Sequence, residues 1–114
     1  MELVQTQPTA LPIHLNDLGI VLEDAARILR AFFSGQGTAT TRKDSAAMQP
    51  DIAVGLFLRD QLAGLLPEAG WLCPRTAGET DRLNREWVWV VDPLNGAREF
   101  ERRVAEFAIS VGLV

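Results

Sequence analysis

A chain of 114 residues can bury one modest hydrophobic core, not two. Its 47% hydrophobic and 23% charged residues exclude wholesale disorder, and a net charge of −4 supplies no basic footprint for nucleic acid or an anionic membrane surface. The single cysteine, Cys73, excludes an internal disulfide framework; with no transmembrane-length apolar run and no signal-peptide pattern, a cytoplasmic setting is expected.

Residues 1–14 mix polar side chains with Pro8 and Pro12 and show no periodicity, so a loose lead-in is expected before one domain over 15–114. His14, the only histidine, has no metal-ligand partners near it and reads as a surface residue at a helix start. From Asn16 the pattern is helical. Leu18, Val21, Leu22, Ala25, Ile28, Leu29, Phe32 and Phe33 recur at steps of three and four and give one wide apolar face. Asn16 is a candidate cap, Asp17 suits the positive end of the helix dipole, and Ser34-Gly35 supplies a stop. Glu23, Asp24, Arg27 and Arg30 form the solvated side.

Gln36 to Gln49 is polar and rich in small residues. A second helix is expected from Pro50, a residue suited to a first helical turn. Val54, Phe57, Leu58, Gln61, Leu62 and Leu65 form its stripe, widened by Ile52 and Leu56; Gly64 weakens its end and Pro67 stops it. Asp51 sits at its amino terminus, where a carboxylate can take a helix-terminal N–H. Residues 76–86 read as a polar loop.

The most informative stretch comes last. Trp87–Val91 and Phe107–Val114 are continuous apolar runs rich in β-branched and aromatic residues, the pattern of strands buried on both faces. Phe107, Ile109, Val111 and Leu113 would fill one face of the second strand, while Ala108, Ser110 and Gly112 would let a helix approach the other. Between the runs, Asp92 ends the first strand and Pro93, which cannot donate to a ladder, forces a turn. A carboxylate at a strand end followed by a turn with exposed carbonyls is suitable chemistry for a hard cation such as Mg²⁺.

The order Trp87-Val88-Trp89-Val90-Val91-Asp92-Pro93-Leu94-Asn95-Gly96-Ala97-Arg98-Glu99-Phe100 resembles the inositol monophosphatase family, especially its bacterial 3′(2′),5′-bisphosphate nucleotidase branch. That family carries Trp-(Val/Ile)-(Val/Ile)-Asp-Pro-(Leu/Ile)-Asp-Gly-Thr-(Arg/Lys)-Glu-Phe before an apolar strand. The resemblance covers about residues 16–114 and only the amino-terminal half of the family's fold. It implies an α+β chain: the first part of a layered α/β/α/β/α sandwich, with two helices packed on a mainly antiparallel sheet. It also implies a truncated member, because the carboxy-terminal half, with its Trp-Asp motif, has no counterpart.

The implied activity is Mg²⁺-dependent phosphomonoester hydrolysis of a phosphorylated small molecule, of the inositol monophosphate or 3′-phosphoadenosine 5′-phosphate type. By resemblance, Asp92 is the bridging metal ligand and the Leu94 carbonyl a further one, while Gly96 and Ala97 form the phosphate-side turn. Asn95 replaces a charged ligand by a neutral amide, and Ala97 lacks the hydroxyl of the family's threonine. Asp51 stands where the family's aspartate pairs with that threonine to orient water. With Ala97 in the partner's place, the helix-capping role of Asp51 stands ahead of the catalytic one. Lys43, Ser45 and Asp51 match the preceding motif loosely, and Cys73-Pro74-Arg75 replaces Ser-Glu-Glu. Proline has no side-chain oxygen, and Arg75 adds a fixed positive charge, so both changes oppose cation binding. A nucleophilic Cys73 would need a base, and the only histidine is distant in sequence.

The expected function is therefore that of a phosphatase relative impaired or inactive on its own, its Mg²⁺ weak or lost. One alternative is an assembly module that homodimerises or pairs with a full-length relative. Another is an active phosphatase whose site a second chain completes. No nucleic-acid or membrane partner is expected.

Overall fold

The structure, a computed structural model, describes residues 10–35, 49–74 and 81–114. The Lys43, Ser45 and Arg75 positions of the motif reading lie outside the described residues. Helix α1 spans Leu15–Phe33, and Val21, Ala25, Leu29 and Phe32 are its buried stripe. It begins one residue before the expected start. His14 holds the cap position and makes no side-chain cap bond, while its carbonyl accepts the N–H groups of Asp17 and Leu18 at 3.0 and 3.3 Å. Asn16 thus lies inside the first turn rather than capping it. Exposed N–H groups there can turn to water, so a capping side chain is dispensable. The stop is as expected: Gly35 adopts φ +88°, a left-handed conformation that glycine takes without a Cβ penalty. On the exposed side Arg27 donates to Asp24 at 2.7 Å.

Helix α2 spans Pro50–Leu65 and buries Val54, Gly55, Leu58 and Leu62. Ile52, Leu56 and Gln61, expected on the apolar stripe, are exposed instead. Leu56 lies two positions before Leu58, about 200° round the helix at roughly 100° per residue, so it faces away from the sheet. Pro67 follows the helix end, where the Leu66 N–H still reaches the Leu62 carbonyl at 3.0 Å.

Among the described residues, three strands form one mixed sheet in the order β1 (Gly70–Leu72), β2 (Val88–Asn95), β3 (Ala108–Leu113). β1 runs parallel to β2, with Trp71 beside Trp89; β3 runs antiparallel to β2 over a longer register, with Val91 beside Val111. A 3₁₀ turn, Asp81–Asn84, precedes β2, and a short third helix, α3 (Ala97–Glu101), links β2 to β3. The α+β class and the packing of two helices on a sheet match the sequence reading. The parallel β1 pairing and α3 add to it.

Two expectations for the strands are corrected. Pro93 does not end β2: the strand continues to Asn95 through an irregularity in which three steps along β2 match two along β3. At such a bulge a residue goes unpaired, so the missing N–H of proline costs no ladder bond. Nor is β2 covered on both faces. Trp89, Val91 and Pro93 are buried beneath the helices, whereas Leu72 and Val90 on the reverse face are 40% and 37% exposed. Phe107, Ile109, Val111 and Leu113 pack on the core as expected, but Ala108 and Ser110 are exposed and no described helix covers them.

The core joins Val54, Leu58 and Leu62 of α2 to Val21, Ala25 and Leu29 of α1 and to Trp89 and Val91 of the sheet. Leu58 is fully buried and Leu56 is 56% exposed. Leu58→Ala should therefore cost about 2–5 kcal/mol in denaturant unfolding, and Leu56→Ala should stay within about 0.5 kcal/mol. Equal losses at the two positions would refute this helix orientation.

Candidate functional site

The Asp92–Ala97 segment owes its shape to two close approaches. Pro93 is fully buried, and a Cβ placed on Gly55 of α2 would come within 3.6 Å of its Cγ. A small residue at Gly55 thus lets α2 lie directly on the bulge. Gly96 adopts φ +99°, and a Cβ there would meet the Glu106 carbonyl oxygen at 2.6 Å. Both the dihedral and the space demand glycine. From that point α3 begins, with the Phe100 N–H bonded to the Gly96 carbonyl at 3.0 Å.

Helix α3 is held by aromatic packing. Phe100 meets Phe33 of α1 with ring centroids 5.5 Å apart and Phe107 at 5.0 Å, and Phe33 meets Phe107 at 5.0 Å. Arg103, with φ 62°, sends its guanidinium back to the end of α1, where it donates to the carbonyls of Phe32 and Phe33. It also stands over the Phe33 ring at 5.7 Å. This clamp is not legible in the sequence. Its aromatic members come from three separate elements, and nothing in the local pattern marks an arginine for positive φ.

Asp92, half-buried, accepts the N–H of Leu94 at 3.3 Å through Oδ1, closing a local turn across Pro93. Asp51 is the second residue of α2, after Pro50 and the cap position Gln49. Its Oδ1 accepts the Ile52 N–H at 2.9 Å, so the carboxylate serves a helix-terminal donor without being the cap residue itself. A cleft of about 490 Å³ opens between the start of α2 and α3, and its walls include Asp51, Leu94, Ala97, Phe100 and Arg103. Of the residues expected at the site, Asp51, Leu94 and Ala97 share this cleft. Asp92, Asn95 and Gly96 are not among its walls.

The donors fit Mg²⁺ poorly. That ion demands near-ideal octahedral oxygen coordination and is usually held by one or two carboxylates together with water and substrate phosphate. Among the described residues no group of three His, Cys, Asp or Glu side chains converges on a point that could hold a metal. Asn95 is exposed and brings no charge, and Pro74 brings no side-chain oxygen. Cys73 is 2% exposed within the hydrophobic core, the setting of an inert structural thiol.

The inositol monophosphatase family model matches residues 16–114. The chain belongs to that family. Two relatives named 3′(2′),5′-bisphosphate nucleotidase CysQ, from Aggregatibacter actinomycetemcomitans and Haemophilus influenzae, are 28% and 24% identical to it over 103 residues. Each alignment covers 88% of this chain and 38% of the relative, so the chain spans little more than a third of their length. Among solved structures, the extragenic suppressor protein suhB of Bartonella henselae superposes with a TM-score of 0.68 at 22% identity. That match covers 87% of this chain and 37% of the other. Inositol monophosphatase-II of Staphylococcus aureus gives the same score and identity, covering 88% and 36%. CysQ of Bacteroides thetaiotaomicron gives 0.57 at 21% identity, covering 88% and 38%. The fold is that of the family's amino-terminal portion.

The family turn depends here on Gly96. Gly96→Ala should lower stability by about 1–3 kcal/mol in denaturant unfolding, since positive φ and a backbone clash both oppose it. Asn95→Ala, at an exposed position, should change it by no more than about 0.5 kcal/mol. Tolerance of Gly96→Ala would contradict the geometry of this turn.

Proposed function

We propose that this chain keeps the framework of a Mg²⁺-dependent phosphomonoesterase for phosphorylated small molecules but has too few ligands to hydrolyse them by itself. The observation that carries this reading is the composition of the Asp92–Ala97 turn and its cleft. Asp51 and Asp92 remain as carboxylates, each accepting a backbone N–H, while Asn95, Ala97 and Pro74 stand where charge or hydroxyl is needed. A two-metal phosphatase uses its cations to neutralise phosphate, activate water and support the leaving oxygen. Groups that act as a unit lose most of their effect when one is removed. A single cysteine, Cys73, buried in the core, suits the inferred cytoplasmic setting. Separately, no described helix is long and apolar enough to cross a membrane.

A second reading, assembly with another copy or a longer relative, draws support from the uncovered sheet face. Leu72, Val90 and Val114, 40%, 37% and 68% exposed, are apolar positions there. The outer edge of β3 has no strand partner among the described residues. Unpaired edges and exposed apolar faces are common sites of association. Light scattering separates the readings: a stable monomer at micromolar concentration argues against assembly.

With Mg²⁺ supplied, the purified chain should release no phosphate above background from inositol monophosphate or 3′-phosphoadenosine 5′-phosphate. Metal-dependent release that disappears in Asp92→Ala would overturn the proposal. Restoring the family's ligands gives a complementary check. Calorimetric titration should detect tighter Mg²⁺ binding in the Pro74→Glu, Asn95→Asp, Ala97→Thr triple variant than in the parent chain. Equal binding by the two would mean that these positions do not govern the metal site.

A further inference from the structure

The sheet has two outer edges, and they differ in what they offer. β1 is three residues long, and the 3₁₀ turn packs on its first residue: a Cβ on Gly70 would meet Arg82 Cα at 2.6 Å. β3 is six residues long and has no strand beyond it among the described residues. Very short edge strands resist pairing with another chain, whereas longer uncharged ones invite it.

The hydrogen-bond phase shows which groups of β3 are left over. Val88 and Val114 exchange both N–H···O=C bonds, at 2.8 and 3.0 Å. Alternation along an antiparallel pair then turns Gly112 and Ser110, the partners of Val90 and Asp92, toward β2 as well. The N–H and C=O groups of Ile109, Val111 and Leu113 therefore point away from the sheet. Such groups need a partner, either water or a further strand.

The side chains decide what kind of strand fits. From Phe107 to Val114 the sequence carries no charged residue, although the chain as a whole carries −4. Natural edges are commonly blunted by lysine, proline or an inward charge, and none of these occurs between 107 and 114. Two copies of an acidic chain repel in general, so an uncharged edge is where they can meet without like charges opposed.

This edge is also self-complementary. A two-fold axis at Val111 sets Ile109 opposite the second copy's Leu113, and Val111 opposite its own counterpart. All the outward residues of β3 then pair, each pair exchanging two backbone bonds, about six bonds in all. On the core side every cross-strand contact joins apolar side chains, since Ile109, Val111 and Leu113 all pack toward the core. On the reverse face Ser110 meets Gly112, and neither is bulky enough to hold the strands apart. The short β1 edges remain at the two ends, so association closes at a dimer.

We propose that two copies of this chain join β3 to β3, antiparallel and centred on Val111, into one sheet continuous across both. This rests on the assembly reading above and names the occupant and the edge that it leaves open.

Light scattering and amide hydrogen exchange on the full chain, each over a range of chain concentrations, test the proposal. The mass should rise to that of a dimer. Exchange at Ile109, Val111 and Leu113 should slow about tenfold or more as the dimer forms, while Ser110 and Gly112, already bonded to β2, change far less. Ser110→Lys, at an exposed position, places two lysines diagonally across the axis, roughly 7–8 Å apart. It should weaken the dimer several-fold at low salt and less at high salt. A monomer at every concentration would overturn both the assembly reading and this proposal. A dimer whose Ile109, Val111 and Leu113 amides still exchange freely would leave assembly standing and refute the β3 edge. Protection that appears only on adding a full-length CysQ protein would refute the second copy as occupant, and a dimer indifferent to Ser110→Lys at low salt would refute the register.

Discussion

The contact between Pro93 and Gly55 sets how α2 meets the sheet, and much of the remaining geometry depends on it. A proline in the middle of a paired strand would sacrifice a ladder bond, so it is accommodated where the register shifts. The shift places Pro93 and Leu94, successive residues, both in buried positions, which regular alternation along a strand would forbid. Gly55 of α2 lies against Pro93, where a Cβ would stand in ordinary van der Waals contact with its Cγ at 3.6 Å. With α2 seated this close, its first turn comes alongside Leu94 and Ala97, and the larger cleft forms between them. Gly96 then reverses the chain beneath the Glu106–Phe107 backbone, and the three phenylalanines lock α3 to the end of α1.

That scaffold is legible in the sequence to different degrees. The helices announce themselves because Val21, Ala25 and Leu29, and likewise Val54, Leu58 and Leu62, repeat at helical spacing with Pro50 and Gly35 near the boundaries. Apolar content alone misplaces Ile52 and Leu56, because composition does not say which side of a helix meets the sheet. The strands are legible as strands but not in their covering. A continuous run such as Trp87–Val91 is compatible with burial on two faces, and only the placement of α1 and α2 on one side reveals that Val90 is uncovered. Pro93 misleads in a different way: its missing N–H suggests a stop, whereas a bulge tolerates it.

The candidate site divides along the same line. Its backbone can be recognised from a short motif, because Asp92, Pro93 and Gly96 act within a few residues of one another. The neighbours of that backbone cannot. Asp51 reaches the same cleft as Ala97 through the packing of α2 on the bulge, a contact between distant segments that the family resemblance implies and local patterning does not. Arg103 and its bonds to the end of α1 are invisible by either route. They depend on a left-handed backbone at a residue type that rarely adopts one.

Family membership and chemical capacity therefore answer to different residues. The positions that maintain shape, Gly55, Pro93, Gly96 and Phe100, act through volume and dihedral angle, and a chain can retain them whether or not a cation is held nearby. Ligand positions act through charge and lone pairs; under the proposed function Asn95, Ala97 and Pro74 would change those with little demand on the backbone. A shape-based comparison is accordingly blind to the distinction that matters for catalysis: the TM-score of 0.68 reports the first set and carries no information on the second. At the far end of α2, Gly70 is the shape residue, admitting the 3₁₀ turn against β1. Chemical function has to be argued from donors and acceptors, because the fold accommodates the cleft beside Asp51 and Ala97 without specifying what it binds.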